Sequence, residues 1–204
     1  MTVQTPAKIN VLLDIGPRLA SGYHELHSLF QMVDLLDTLE VTLLRDSETI
    51  EVDSEPFILP EANTLNRAWE CFCSEIGRFV GCTVRLQKRI PPGAGLGGGS
   101  SNAAGMLRAL NELLGRPVGE TRLVELARVV GSDVPFFLGS PAAWVAGTGE
   151  VLRPVQARVF HLLLVMPGYR ISTPWAYNTL DAYRGPMADE YRCSTSSTEC
   201  IDTY

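Results

Sequence analysis

The chain of 204 residues carries a net charge of −6, with 46% hydrophobic and 20% charged residues. That balance describes a globular protein able to bury a core in one domain or one and a fraction, and an acidic excess without a basic run argues against nucleic acid or an anionic membrane as partner. The opening MTVQTPAKINVLLD holds no signal-peptide run and no stretch reaches the roughly 18 apolar residues of a span, so the expected location is cytoplasmic.

In chain order, residues 3–53 read as strands: PAKINVLLDI, a glycine-containing break at SGYHE, then HSLFQMVDLL, TLEVTLL and TIEVD. In the first of these, Ile9, Val11, Leu13 and Ile15 alternate onto one face, which places Lys8 and Asn10 together on the other. Lys8 is then either solvated or aimed into a cleft. Asn63 precedes a helical pattern of Leu65, Ala68, Trp69, Phe72 and Ile76 and is placed to cap it. The five cysteines, Cys71, Cys73, Cys82, Cys193 and Cys200, scatter without metal-ligand or redox spacing and read as free thiols in a reducing compartment, with no metal site.

A strand at CTVRLQKRI leads into IPPGAGLGGGSSNAAGMLRAL, residues 90–110, whose first half is nearly bare of side chains. Glycine permits positive φ and close approach to the backbone, so Pro91, Pro92, Gly93, Ala94, Gly95, Leu96, Gly97, Gly98, Gly99, Ser100 and Ser101 form a candidate phosphate cradle. Ser100, Ser101 and Asn102 are the expected N-cap residues of the helix carrying Met106, Leu107, Leu110, Leu113 and Leu114, and its N-terminus attracts anions. No Gly-Lys-Ser/Thr closes the loop, so the Walker pattern is excluded.

Leu123, Leu126, Ala127 and Val130 mark a further helix, followed at once by GSDVPFF. From the residues alone Asp133 in that segment reads first as the cap of a helical turn and second as a general base beside apolar neighbours. PAAWVAG and GEVLRPV read as a hairpin, and VFHLLLVMPG as a buried strand. Strands and helices without regular alternation predict an α+β fold with a mixed sheet. The last twenty residues, GPMADEYRCSTSSTECIDTY, have no hydrophobic period and read as a tail.

Taken together, PAKINVLLDI, SGYHELHSLFQMVD, PPGAGLGGGSSNAA, GSDVPFFLG and GTGEVL occur in an order that resembles the 4-diphosphocytidyl-2-C-methyl-D-erythritol kinases. These sit in the superfamily of galactokinase, homoserine kinase, mevalonate kinase and phosphomevalonate kinase. The resemblance covers about residues 5–181. It implies transfer of phosphate from ATP to the 2-hydroxyl of a cytidine-diphosphate substrate in non-mevalonate isoprenoid biosynthesis, with Mg2+ expected alongside the nucleotide. Asp133 then takes the hydroxyl proton and Lys8 lies beside it, steadying charge on the attacking oxygen.

The same resemblance sets Tyr23 and His24 against the cytidine, with Asn10 nearby and Tyr177 stacking on the base, and places Asn63 near the adenine. It implies a two-domain small-molecule kinase fold, with a complete N-terminal domain over residues 1–154 and a C-terminal domain only begun at 155–182; residues 183–204 read as a disordered or non-native tail. On that reading the chain has little kinase activity, and a strand at VFHLLLVMPG left without partners exposes an apolar edge, leaving a homo-oligomer open. Three other readings stand beside it: another kinase of the superfamily, a nucleotide-binding relative without turnover, and an RNA-binding module, which the net charge disfavours.

Overall fold

The structure is a computed structural model that describes residues 1–167 and 171–184. Two long strands open the chain: β1, Thr2–Arg18, and β2, His24–Leu43, pair antiparallel from Thr2↔Glu40 to Arg18↔His24. β3, Ile50–Glu55, runs parallel to β4, Cys82–Gln87, and the crossover between them is helix α1, Thr64–Ile76. β4 in turn pairs antiparallel with the second half of β2. β5, Ala142–Ala146, pairs with the first half of β2 and forms a hairpin with β6, Val151–Pro154. Because Phe30 pairs with both Asn10 and Ala143, and Thr38 with both Gln4 and Gln87, β1 lines one side of β2 while β5 and β4 follow each other along its opposite side.

Helices α1, α2 (Gly98–Leu113) and α3 (Glu120–Val130) cover one face of this mixed sheet. Leu39, Val41, Val84 and Leu86 from the strands and Phe72, Met106, Leu107, Leu110 and Val130 from the helices make one buried cluster. The other face carries Glu40, Thr42, Glu51, Asp53 and Arg85, exposed to solvent. A sheet buried on one face and wet on the other, with its helices on the dry side, is the α+β architecture the sequence predicts. Asn63 caps α1, its carboxamide oxygen accepting from the N–H groups of Leu65 and Asn66, an arrangement worth about 1 kcal/mol.

Four expectations are corrected. HSLFQMVDLL and TLEVTLL are one strand, β2, because Asp37, the residue between them, is fully buried and bonded rather than turned to solvent. The alternation expected in β1 does not persist, since a bulge between Asn10 and Leu12 leaves Val11 without a partner on β2 and breaks the period of two. Val11, Leu12 and Leu13 are all exposed past that point, while Lys8, ahead of the bulge, is buried. Helix α2 begins at Gly98 behind Gly97, which adopts φ 69° and offers no side-chain cap, so Ser100, Ser101 and Asn102 lie within the first turns rather than before them.

Last, residues 159–167 of VFHLLLVMPG form no strand, and Val159, Leu163 and Val165 are exposed, because none of the described strands offers them a ladder. A final helix, α4, spans Thr173–Arg184, so Tyr183 and Arg184 belong to a regular element. The rest of the expected tail, with Cys193 and Cys200, lies outside the described residues.

Cys82 is fully buried at the start of β4, and burial pushes its thiol up from 9.0 to about 12. A raised pKa means the unfolded chain loses this proton first, so the stabilisation is present below pH 9.0 and disappears as pH climbs toward 12. Denaturant midpoints are therefore expected to fall between pH 8.5 and 10.5, with a shallower slope in Cys82→Ala; identical slopes would remove Cys82 from this dependence.

Candidate active site

Three segments meet at Lys8. Its backbone N–H donates to the carbonyl of Leu96 at 2.9 Å, tying β1 to the glycine loop. Its Nζ donates to Asn10 Oδ1 at 2.6 Å, lies 3.8 Å from Asp133 Oδ2, and stands 4.2 Å from the centroid of the Phe30 ring. Burial pushes the Lys8 ammonium below the ordinary lysine value, and the charge of Asp133 draws it partly back. The solvated reading of Lys8 is excluded. Asn10 is held in turn, its Nδ2 donating to Ser28 Oγ at 3.0 Å while that hydroxyl donates to the Leu12 carbonyl at 2.5 Å.

Asp133 precedes a short 3-10 turn, Pro135–Leu138, which has Val134 before it and no side-chain cap, so the capping alternative is not realised. Its carboxylate is about one-third exposed, open enough to meet a ligand. The turn delivers Phe137 beneath the glycine loop. A Cβ at Gly97 would come within 2.8 Å of the Phe137 ring and 3.0 Å of Lys8 Cγ, so this glycine is fixed by positive φ and by packing together. Gly95, at φ +74°, faces open space.

Gly98 differs from the expectation of an open cradle. A Cβ there would meet Lys88 Nζ at 2.7 Å and Ile90 at 2.9 Å, both inside the protein. Behind it, sequence reasoning missed a buried network: Lys88 Nζ donates to Asp37 Oδ2 at 2.5 Å, and the N–H groups of Arg89 and Ile90 donate to Asp37 Oδ1 at 2.7 and 2.8 Å. Asp37 thereby anchors the strand end from which the loop departs. Its only signal in the sequence is an acid inside an apolar run.

At the mouth of the loop Thr64 Oγ1 donates to the Gly99 carbonyl at 2.8 Å, bringing the starts of α1 and α2 together, so Asn63 does lie near the loop. Both ends of its carboxamide are engaged in the α1 cap and its approach, Nδ2 donating to the Pro60 carbonyl. The Ser101 hydroxyl is buried with no partner among the described residues. An orphaned hydroxyl at a helix N-terminus, beside open positive-φ glycines, is chemistry that suits a phosphate oxygen.

The β1–β2 turn brings His24 to α4. The His24 and Tyr177 rings stack at 4.9 Å with 28° between planes, while Tyr23 is 68% exposed and stands away from that stack. Burial raises the Tyr177 phenol, and the Asp133 charge adds to the shift, so the two ends of the site are electrostatically in touch. Lys8, Asn10, Asp133 and the loop therefore form one group, and His24 with Tyr177 a second beside it.

A two-layer domain with a glycine loop opening onto a helix and a buried lysine facing an aspartate defines the N-terminal unit of a small-molecule kinase. Residues 63–141 match the family described as GHMP kinases N terminal domain. A 4-diphosphocytidyl-2-C-methyl-D-erythritol kinase from Treponema pallidum subsp. pallidum is 43% identical over 185 residues, covering 90% of this chain and 64% of the relative. One from Thermodesulfovibrio yellowstonii is 42% identical, covering 89% and 63%. A crystal structure of 4-(cytidine 5'-diphospho)-2C-methyl-D-erythritol kinase superposes with a TM-score of 0.73 at 38% identity, covering 91% of this chain and 67% of that one. The chain belongs to the 4-diphosphocytidyl-2-C-methyl-D-erythritol kinase family, and it spans about 64% of the length of the first of these relatives.

Proposed function

We propose that this chain carries the ATP site and the reacting groups for phosphorylation of the 2-hydroxyl of 4-diphosphocytidyl-2-C-methyl-D-erythritol. The observation that carries this reading is the pairing of Lys8 Nζ with Asp133 at 3.8 Å beside the loop. ATP phosphates would lie along Gly93 to Ser101, held by backbone N–H groups, the α2 N-terminus and the unpartnered Ser101 hydroxyl. Magnesium would enter with the nucleotide and neutralise charge on its phosphates.

In the reaction the 2-hydroxyl oxygen bonds to the γ-phosphorus as the bond to the β–γ bridging oxygen breaks, releasing ADP, and the hydroxyl proton passes to the Asp133 carboxylate. Lys8 faces the developing charge, and Asn10 fixes its Nζ in place. The low-lying ammonium of Lys8 is a consequence of the dry setting that strengthens such contacts. His24 and Tyr177 would receive the cytidine end, with Tyr23 closing over it from the turn. Asn63 would reach the adenine side of the loop only through its backbone, since its side chain caps α1. The setting is the cytoplasm, where ATP is supplied.

Two substitutions separate the half-sites. Gly95→Ala adds no clash but opposes the positive φ at a cost of about 1–2 kcal/mol, so ATP affinity is expected to fall about tenfold with CMP affinity unchanged. His24→Ala is expected to do the reverse. Equal loss of both ligands in either variant would overturn the division of the site.

A further inference from the structure

Asp181 was not among the residues the sequence pointed to, and it touches the proposed nucleoside end directly. His24 is buried, and its Nε2 lies 2.7 Å from Asp181 Oδ1. The second carboxylate oxygen is 3.8 Å from Arg18 Nη1, on the same β1–β2 hairpin. One turn earlier on α4, Tyr177 stacks on the His24 ring, and at the end of α4 Arg184 Nη1 donates to the Ile15 carbonyl at 2.7 Å. A twelve-residue helix is thus seated on the hairpin with its carboxylate against the imidazole.

We infer that Asp181 is a positioning residue that fixes the tautomer of His24 and thereby makes the nucleoside site select an amino-pyrimidine over its oxo analogue. An ionised carboxylate only accepts hydrogen bonds, so a neutral His24 must carry its proton on Nε2. Nδ1 is then left as an acceptor. Cytosine presents an amino donor where uracil presents a carbonyl acceptor, so an imidazole held in this tautomer attracts the first and repels the second. The inference rests on the cytidine reading above and adds to it the group that sets base choice. Removing Asp181 frees the ring to donate from Nδ1, which uracil accepts.

The test uses CMP and UMP as probes, with titrations read beside the 15N shifts of the His24 ring at a pH where the imidazole is neutral. The parent is expected to show protonated Nε2 and to bind CMP at least about tenfold more tightly than UMP, the scale of one hydrogen bond made in place of one opposed. Asp181→Ala is expected to mix the two tautomers and bring the CMP to UMP ratio close to unity. Asp181→Asn, whose carbonyl oxygen accepts the same bond, is expected to keep the ratio within about threefold of the parent. Arg184→Ala loosens the seat of α4 without touching the imidazole and is expected to leave tautomer and ratio in place.

A ratio unchanged in Asp181→Ala, or one erased equally by Arg184→Ala, would overturn the inference and leave the cytidine reading standing. Failure of the parent to bind CMP at all would overturn both.

Discussion

Asp37→Ala is expected to destabilise the fold by about 3–5 kcal/mol, the largest single effect among the residues described. The carboxylate is fully buried and has three donors, Lys88 Nζ and the N–H groups of Arg89 and Ile90. Truncation leaves the buried Lys88 ammonium unpaired and takes the acceptor from the buried Ile90 N–H and the part-buried Arg89 N–H, and the Lys88 ammonium has no route to water. Asp37→Asn keeps an acceptor for the amides but turns its NH2 toward the ammonium, so it is expected to fall between parent and Ala. Adding Lys88→Met to Asp37→Asn removes that conflict and is expected to recover more than half of the loss. Denaturant unfolding of the four proteins checks this, and a single-variant loss below about 1 kcal/mol, the scale of a surface pair, would contradict the burial argument.

Asp133→Asn is expected to preserve the fold and ATP affinity while lowering turnover at least about a hundredfold, the usual scale for losing a positioned acid–base group. Asparagine is nearly isosteric but cannot take the hydroxyl proton, and it no longer answers Lys8 across 3.8 Å. Because the Asp133 carboxylate is about one-third exposed and caps no turn, and the buried Lys8 Nζ keeps its bond to Asn10 Oδ1, the kinetic effect is separable from stability. Turnover should be compared in chains carrying the remainder of the relatives' length. Activity within a few-fold of the parent would remove Asp133 from the chemistry.

Much of the site is written locally in the sequence. Lys8 and Asn10 are two apart on one strand, and that spacing is what joins Nζ to Oδ1. The glycine loop announces itself because positive φ at Gly93, Gly95 and Gly97 demands the residue type. What escaped reading depends on partners far along the chain. Asp37 and Lys88 are 51 positions apart, and His24 and Asp181 are 157 apart, with nothing in either neighbourhood to name the other. The bulge at Val11 is a property of the β1–β2 register, invisible in an apolar run that alternates well on paper. VFHLLLVMPG fails for the same reason from the other side: its composition suits a strand, but a strand exists only where a neighbour offers its hydrogen bonds.

Phosphoryl transfer itself is the most direct test of the central claim. This chain, joined to the segment that completes the length of its Treponema pallidum relative, would be incubated with ATP, magnesium and 4-diphosphocytidyl-2-C-methyl-D-erythritol and followed by 31P NMR. The account predicts one new phosphate monoester on the 2-hydroxyl for each ADP formed, at a turnover of roughly 1–100 per second, abolished by Asp133→Asn. ADP formed without that monoester, or a monoester produced equally well by Asp133→Asn, would contradict it.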